Sequence, residues 1–198
     1  MSPLERPDSK LAAFVFKAQL AETAVSRLDS SRPRSGELTY EVIAEKLSLS
    51  QLDARLVASA KKMSAVYTAI AAFENMVREI ISDRMLEEVG ETWWESDAVS
   101  ADIRKRAAKR QEEEKQNRWH SPRGVSPVYF AEMKDLVTII ASNWDRFTVL
   151  LGDVDWVRST IRSLERSRNV IMHSGELSLE DIQRVGGIIR DWIRQVGA

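Results

Sequence analysis

The chain has 198 residues, no cysteine, two histidines and a formal net charge of −1. That length suits one domain, or one domain with an appendage. The absence of cysteine excludes a disulfide scaffold, a thiolate nucleophile and a Cys-ligated metal, and two histidines alone do not make a multi-His centre. With 43% apolar and 30% charged residues of balanced sign, the composition is that of a soluble globular protein, not a disordered chain or a nonspecific nucleic-acid coat.

No apolar run approaches the roughly 20 residues needed to cross a bilayer, and the opening Met-Ser-Pro-Leu-Glu-Arg-Pro has no signal-peptide pattern. A cytoplasmic location with no membrane partner is therefore expected. Of 29 basic residues, 20 are Arg. Either phosphate contacts favour the guanidinium fork or a GC-rich genome set the bias.

Only eight Gly and five Pro punctuate the chain, and strict apolar alternation is absent, so the expected fold class is all-α. Residues 9–29 carry Leu11, Val15, Ala18 and Val25 at helical spacing, and residues 30–36 read as a linker or turn. Thr39 is placed to cap a short helix through Leu47. Residues 1–50 thus read as an N-terminal helical extension, and 51–198 as the main helical domain. After a second cap at Ser48 or Ser50, a long helix carries Leu52, Leu56, Met63, Tyr67, Ile70, Phe73, Val77, Ile81 and Val89 to a stop at Gly90. Forty unbroken residues are unusual: either the helix breaks near Ser64 or it projects beyond the core.

Residues 91–126 form a charged excursion. It reads as a solvated helix or mobile segment, or as an RNA-facing arm in which Trp93, Trp94 and Trp119 flank Arg104, Lys105, Arg106, Lys109 and Arg110. Next, Tyr129, Phe130, Met133, Leu136, Val137 and Ile140 mark one helical face, and Phe147, Leu150 and Leu151 a short second element. Val157, Ile161, Leu164 and Ile171 mark a helix capped at Asp153 or Asp155. The last helix starts at Ser178, with Asp181 in the capping-box position, and shows Leu179, Ile182, Val185, Ile189, Trp192, Ile193 and Val196 on one face. Gly186 and Gly187 lie in its middle, where each costs up to about 1 kcal/mol against Ala. A second helix crossing there is the expected reason.

The anomaly is Arg168. It continues the apolar stripe Val157, Ile161, Leu164 at a core-facing position, where a guanidinium is costly unless paired or hydrated. Either a carboxylate meets it, with Glu74 and Asp135 as candidates, or it faces a ligand cleft. His173 follows five residues later, about 140° round an ideal helix, with Gly175 as a stop close behind. The two side chains converge only if the helix end deforms, or if two copies share a cleft.

The string Arg168-Asn169-Val170-Ile171-Met172-His173 resembles the Arg–polar–x3–His signature of the HEPN superfamily, all-α domains whose active members are metal-independent endoribonucleases. The wider sequence is similar to the HEPN module of the eukaryotic nuclear mRNA-surveillance endoribonuclease family and its bacterial relatives. Phe73-Glu74-Asn75-Met76-Val77-Arg78, Trp144 before Phe147, and the closing helix after Asp181 extend the likeness over roughly 60–196. The resemblance implies a HEPN-type bundle and cleavage of RNA by its own 2′-OH, with no metal and no cofactor. His173 would act as general base or acid, since an imidazole titrates near neutrality. Arg168 would hold the scissile phosphate and Asn169 would orient the site, with Glu74, Asn75 and Arg78 in support. It also implies a homodimer, and a toxin or phage-defence setting with a possible antitoxin or defence partner. A non-catalytic HEPN binding or scaffold module is the alternative. Some HEPN toxins carry a modifiable Tyr two residues after the His. Gly175 stands there, so no nucleotidyltransferase partner is expected.

Overall fold

The structure, a computed structural model, describes residues 39–197. The helical spacing expected over 9–29 and the linker at 30–36 lie outside the described residues. The chain divides into two compact units at Ala54/Arg55. In the described part of the first, α1 (Tyr40–Lys46) begins where the Thr39 side chain accepts the Val42 N–H, and a 3-10 turn (Leu49–Gln51) follows.

The second unit holds α2 (Ala54–Val89), α3 (Ala101–Gln116), a 3-10 turn (Pro127–Phe130), α4 (Met133–Ser142), α5 (Trp144–Leu151), α6 (Val154–Met172) and α7 (Leu179–Val196). No strand occurs among the described residues, so the fold is all-α. Helix α2 does not break at Ser64. It is a single helix of 36 residues, about 54 Å long, that stops where Gly90 takes φ +98°, a conformation glycine adopts at little cost. Its first nine residues contribute nothing to the buried core, which begins at Met63 and continues through Val66, Ile70, Phe73, Val77, Ile81 and Met85. These steps of three and four keep one face inward.

Helix α6 packs against α4, α5 and α7. Trp192 of α7 is buried, meets Phe73 edge-on at 5.1 Å and stacks on Trp156 at 5.4 Å. This contact joins α2, α6 and α7 around one aromatic centre. On α7, however, Leu179 and Ile193 are exposed, because the buried arc centres on Val185 and Trp192 and they lie at its edges. Among the described residues no second helix crosses at Gly186 and Gly187, and a Cβ at either would there meet only the Arg190 guanidinium of the same helix.

The segment 91–126 is largely built into the domain. The backbone turns back at Trp93, whose N–H bonds the Gly90 carbonyl. Trp93 and Trp94 are only 7% and 8% exposed and pack against each other edge-on. Ile103 and Ala107 put one face of α3 inward, and α3 packs on the Pro127–Phe130 turn. Two tryptophans expected to stack on bases are therefore core residues. Trp119 alone of the three stands out, at 84% exposure.

Candidate active site at the end of the signature helix

Helix α6 is anchored at its start, where Asp153 Oδ1 accepts the N–H groups of Asp155 (2.7 Å) and Trp156 (3.2 Å). Val157, Ile161 and Leu164 are buried, which fixes the rotation of the helix. The next position on that stripe brings Arg168 to α2, opposite Glu74.

Glu74 is the node of the site. Its side chain is buried and pairs with Arg78 one turn along α2, while Oε2 faces Arg168 Nε at 3.6 Å. Of the two carboxylates that could meet Arg168, Glu74 does so; Asp135 is engaged elsewhere. Arg78 is also buried. It donates to Asn75 Oδ1 (3.2 Å), Ala131 O (3.2 Å) and Val128 O (3.4 Å), and its guanidinium lies 5.9 Å from the Tyr129 ring centre. Arg168 is held differently. Its side chain is 35% exposed and makes that one long ion pair, with no hydrogen bond among the described residues. Two guanidiniums share one carboxylate, so the cluster is net positive, and the donors of Arg168 are open to an anion.

The helix end is closed by a Schellman motif. His173 is the C-cap, Ser174 takes φ +60°, the Ser174 N–H bonds Ile171 O (2.9 Å), and the Gly175 N–H bonds Val170 O (2.8 Å). The left-handed residue is thus Ser174, not Gly175. Gly175 is required for closeness: a Cβ there would stand 2.9 Å from Val170 O and 2.7 Å from Val170 Cγ1. The loop is then tied to α2, where Ser59 donates to Glu176 and the Leu177 N–H meets the Met63 sulfur at 3.3 Å. His173 and Asn169 are exposed, and neither side chain has a hydrogen bond or ion pair among the described residues. An open groove of about 540 Å³, walled by Leu56, Met63 and Tyr67 of α2 and by Ile171, Met172 and Gly175, lies at the same helix end, lined by neither His173 nor Asn169.

The basic residues of α3 are mostly occupied. Arg104 donates to the Glu95 and Ser96 carbonyls. Arg106 donates to Asp135 Oδ1 at 2.6 Å. Arg110 bonds Phe130 O (2.8 Å) and pairs with Glu132 (2.6 Å) and Asp135 (3.5 Å). Lys109 lies 3.7 Å from Glu113 at the surface. Asp135 is 2% exposed. Burial pushes its carboxyl up, but the Arg106 hydrogen bond, the Glu132 N–H and the charges of Arg106 and Arg110 outweigh it and hold the group below the usual carboxylate range. The same bond raises Arg106. The structure thus brings Arg168, Glu74, Asn75 and Arg78 together, places Asn169 and His173 at the same helix end, and uses Arg106 and Arg110 of α3 as ties to Glu132 and Asp135 at the start of α4. The Glu132–Asp135 capping box, which positions those ties, is a feature the sequence spacing did not reveal.

Residues 68–197 match the family described as Swt1-like HEPN. The chain belongs to that family. None of the curated proteins and none of the solved structures gave a match. The Swt1-like HEPN region starts within α2 and takes in the Glu74 node, the Arg168–His173 signature and α7. Membership is consistent with an RNA-directed role, cleavage or binding. Among the described residues, no three His, Asp or Glu side chains are placed to hold a metal ion, and no helix is long and apolar enough to cross a membrane.

Proposed function

We propose that this HEPN protein is an endoribonuclease that cleaves RNA through the substrate's own 2′-OH. The observation that carries the proposal is the contrast within the Glu74 cluster. Arg78 is fully bonded and buried, while Arg168 is held by one long ion pair with its donors open to solvent. Arg78 serves as the buried structural cation, whereas Arg168, 35% exposed, keeps donors that a phosphate can reach. In the proposed step His173 takes the proton from the 2′-OH, and the 2′-oxygen attacks the adjacent phosphorus. The P–O5′ bond breaks, and the leaving 5′-oxygen collects a proton from a protonated imidazole. One strand end carries a 2′,3′-cyclic phosphate, the other a 5′-OH. Arg168 neutralises the charge growing on the phosphate oxygens, and Asn169 orients phosphate or imidazole through its amide.

Arg168 and His173 are separated by about 140° of helix rotation, which favours a shared cleft between two protomers. A twofold pair would supply two of each group, so one His173 can act as base and the other as acid. Exposed Tyr67, Val170 and Met172 near the helix end are apolar surface that a second copy would cover. The proposed setting, a cytoplasmic toxin or phage-defence effector, rests on the resemblance alone. Cleavage of labelled RNA by the wild type and by His173→Ala tests the assignment. Cleavage should be lost in the variant with the helical signal intact, and full activity would refute the role of His173.

A further inference from the structure

Three arginines on α6 take no part in the core or the Glu74 cluster. Arg158, Arg162 and Arg166 recur at four-residue steps and are exposed. At 100° per residue they fall, with Asn169 and His173, inside an arc of about 80° directed away from the buried stripe. Arg158 is drawn to Asp155 at 2.9 Å. Arg162 and Arg166 have no hydrogen bond or ion pair among the described residues. This is the reverse of α3, whose arginines are consumed by protein carboxylates and carbonyls. The arginines border a shallow groove of about 400 Å³ floored by Ser159 and Ser163, whose hydroxyls can donate to phosphate. Of the nearby carboxylates, Asp155 is already satisfied by Arg158, and Glu165 sits half-buried at the edge of the arc.

We propose that Arg162 and Arg166 form a phosphate track that leads a single RNA strand along α6 to His173. What happens at the end of the track rests on the ribonuclease reading; the track itself is a binding site. The two guanidiniums are about 6 Å apart along the axis, and Arg166 is about 10 Å from His173, so the cations form a single file ending at the imidazole. A single line of cations on a convex helix suits one flexible backbone. A duplex is instead gripped across two grooves by its shape. No aromatic side chain stands on this arc to stack a base, so the track holds the strand by its phosphates and fixes its register and polarity.

The test is binding of a short, fluorescent, fully 2′-O-methylated RNA strand, which has no 2′-OH to attack, measured by anisotropy from 50 to 200 mM salt. Each lost phosphate contact removes about 0.7 from the slope of log K against log salt for single strands. The double variant Arg162→Gln/Arg166→Gln should therefore flatten the slope by about 1.4, roughly sevenfold less loss of affinity across that salt range. Lys115→Gln/Arg194→Gln changes net charge equally at exposed sites elsewhere and should leave the slope within about 0.3 of wild type. An unchanged slope in the first variant, an equal change in the second, or a first variant that changes oligomeric mass would each overturn the track. The ribonuclease reading fails separately: a wild type that binds with the expected slopes but leaves natural RNA uncut keeps the track and loses the catalysis.

Discussion

Glu74 and Arg168 face each other, yet their replacement should separate stability from activity. Glu74→Gln removes a carboxylate that is one-tenth exposed and leaves buried Arg78 with neutral acceptors only. Removing one partner of a buried ion pair costs about 3–5 kcal/mol. The three remaining acceptors put this case at the low end, about 3 kcal/mol, which lowers Tm by about 6–12 °C in a chain of this size. Arg168→Gln breaks a 3.6 Å pair with no hydrogen bond, at a side chain 35% exposed. Such a pair contributes at most about 1 kcal/mol, so Tm should move by no more than about 4 °C. Cleavage, in contrast, should fall by about 10²–10³, the usual loss when one stabilising donor is removed from a transition state. Thermal melts by circular dichroism and RNA cleavage on the same samples make the comparison. If Arg168→Gln lowers Tm as far as Glu74→Gln and still cuts RNA, Arg168 is a structural cation and the reasoning fails.

Asp135→Asn should destabilise at pH 7 and converge with wild type in acid. The folded carboxyl lies below its ordinary value, so the unfolded chain is protonated first below about pH 4, and the stabilisation present above that pH is lost as pH falls through the folded value. Urea midpoints at pH 7, 4 and 3 measure this, and a constant gap would contradict it. Ser174→Gly should raise Tm by about 2–4 °C by relieving the left-handed backbone, whereas Gly175→Ala should lower it, because the added carbon meets Val170; equal melts for both would show that the helix end relaxes freely. Gly187→Ala should stabilise by up to about 1 kcal/mol, since the added methyl meets nothing closer than 3.9 Å. A loss of stability or of oligomeric mass would mean that another copy's helix crosses there.

Much of this was legible because it is local. The caps at Thr39, Asp153 and Ser178 need only a hydroxyl or carboxylate within three residues, and each is made. The apolar stripe of α2 and the misfit of Arg168 follow from helical period alone, and Glu74 was among the carboxylates within reach. What failed depends on where distant segments meet. The charge of α3 suggests a free surface, but Asp135, far along the chain on the next helix, draws Arg106 and Arg110 into ties. The backbone turn after Gly90 sends Trp93 and Trp94 inward, and nothing in their own composition tells buried from stacking indoles. The left-handed residue after His173 is Ser174, whereas residue type alone points to its neighbour Gly175. The four-residue spacing of Arg158, Arg162 and Arg166 carries no meaning in the sequence alone; only the structure shows that no group among the described residues takes up Arg162 and Arg166.

A 2′-OH mechanism at Arg168 and His173 leaves its mark on the cut ends of the RNA. Purified protein incubated with a labelled RNA in EDTA, followed by mass analysis of the fragments, should give 2′,3′-cyclic phosphate and 5′-OH ends, and no fragments from His173→Ala. Fragments ending in 3′-OH and 5′-phosphate, cleavage abolished by EDTA, or an intact strand with the wild type would contradict it.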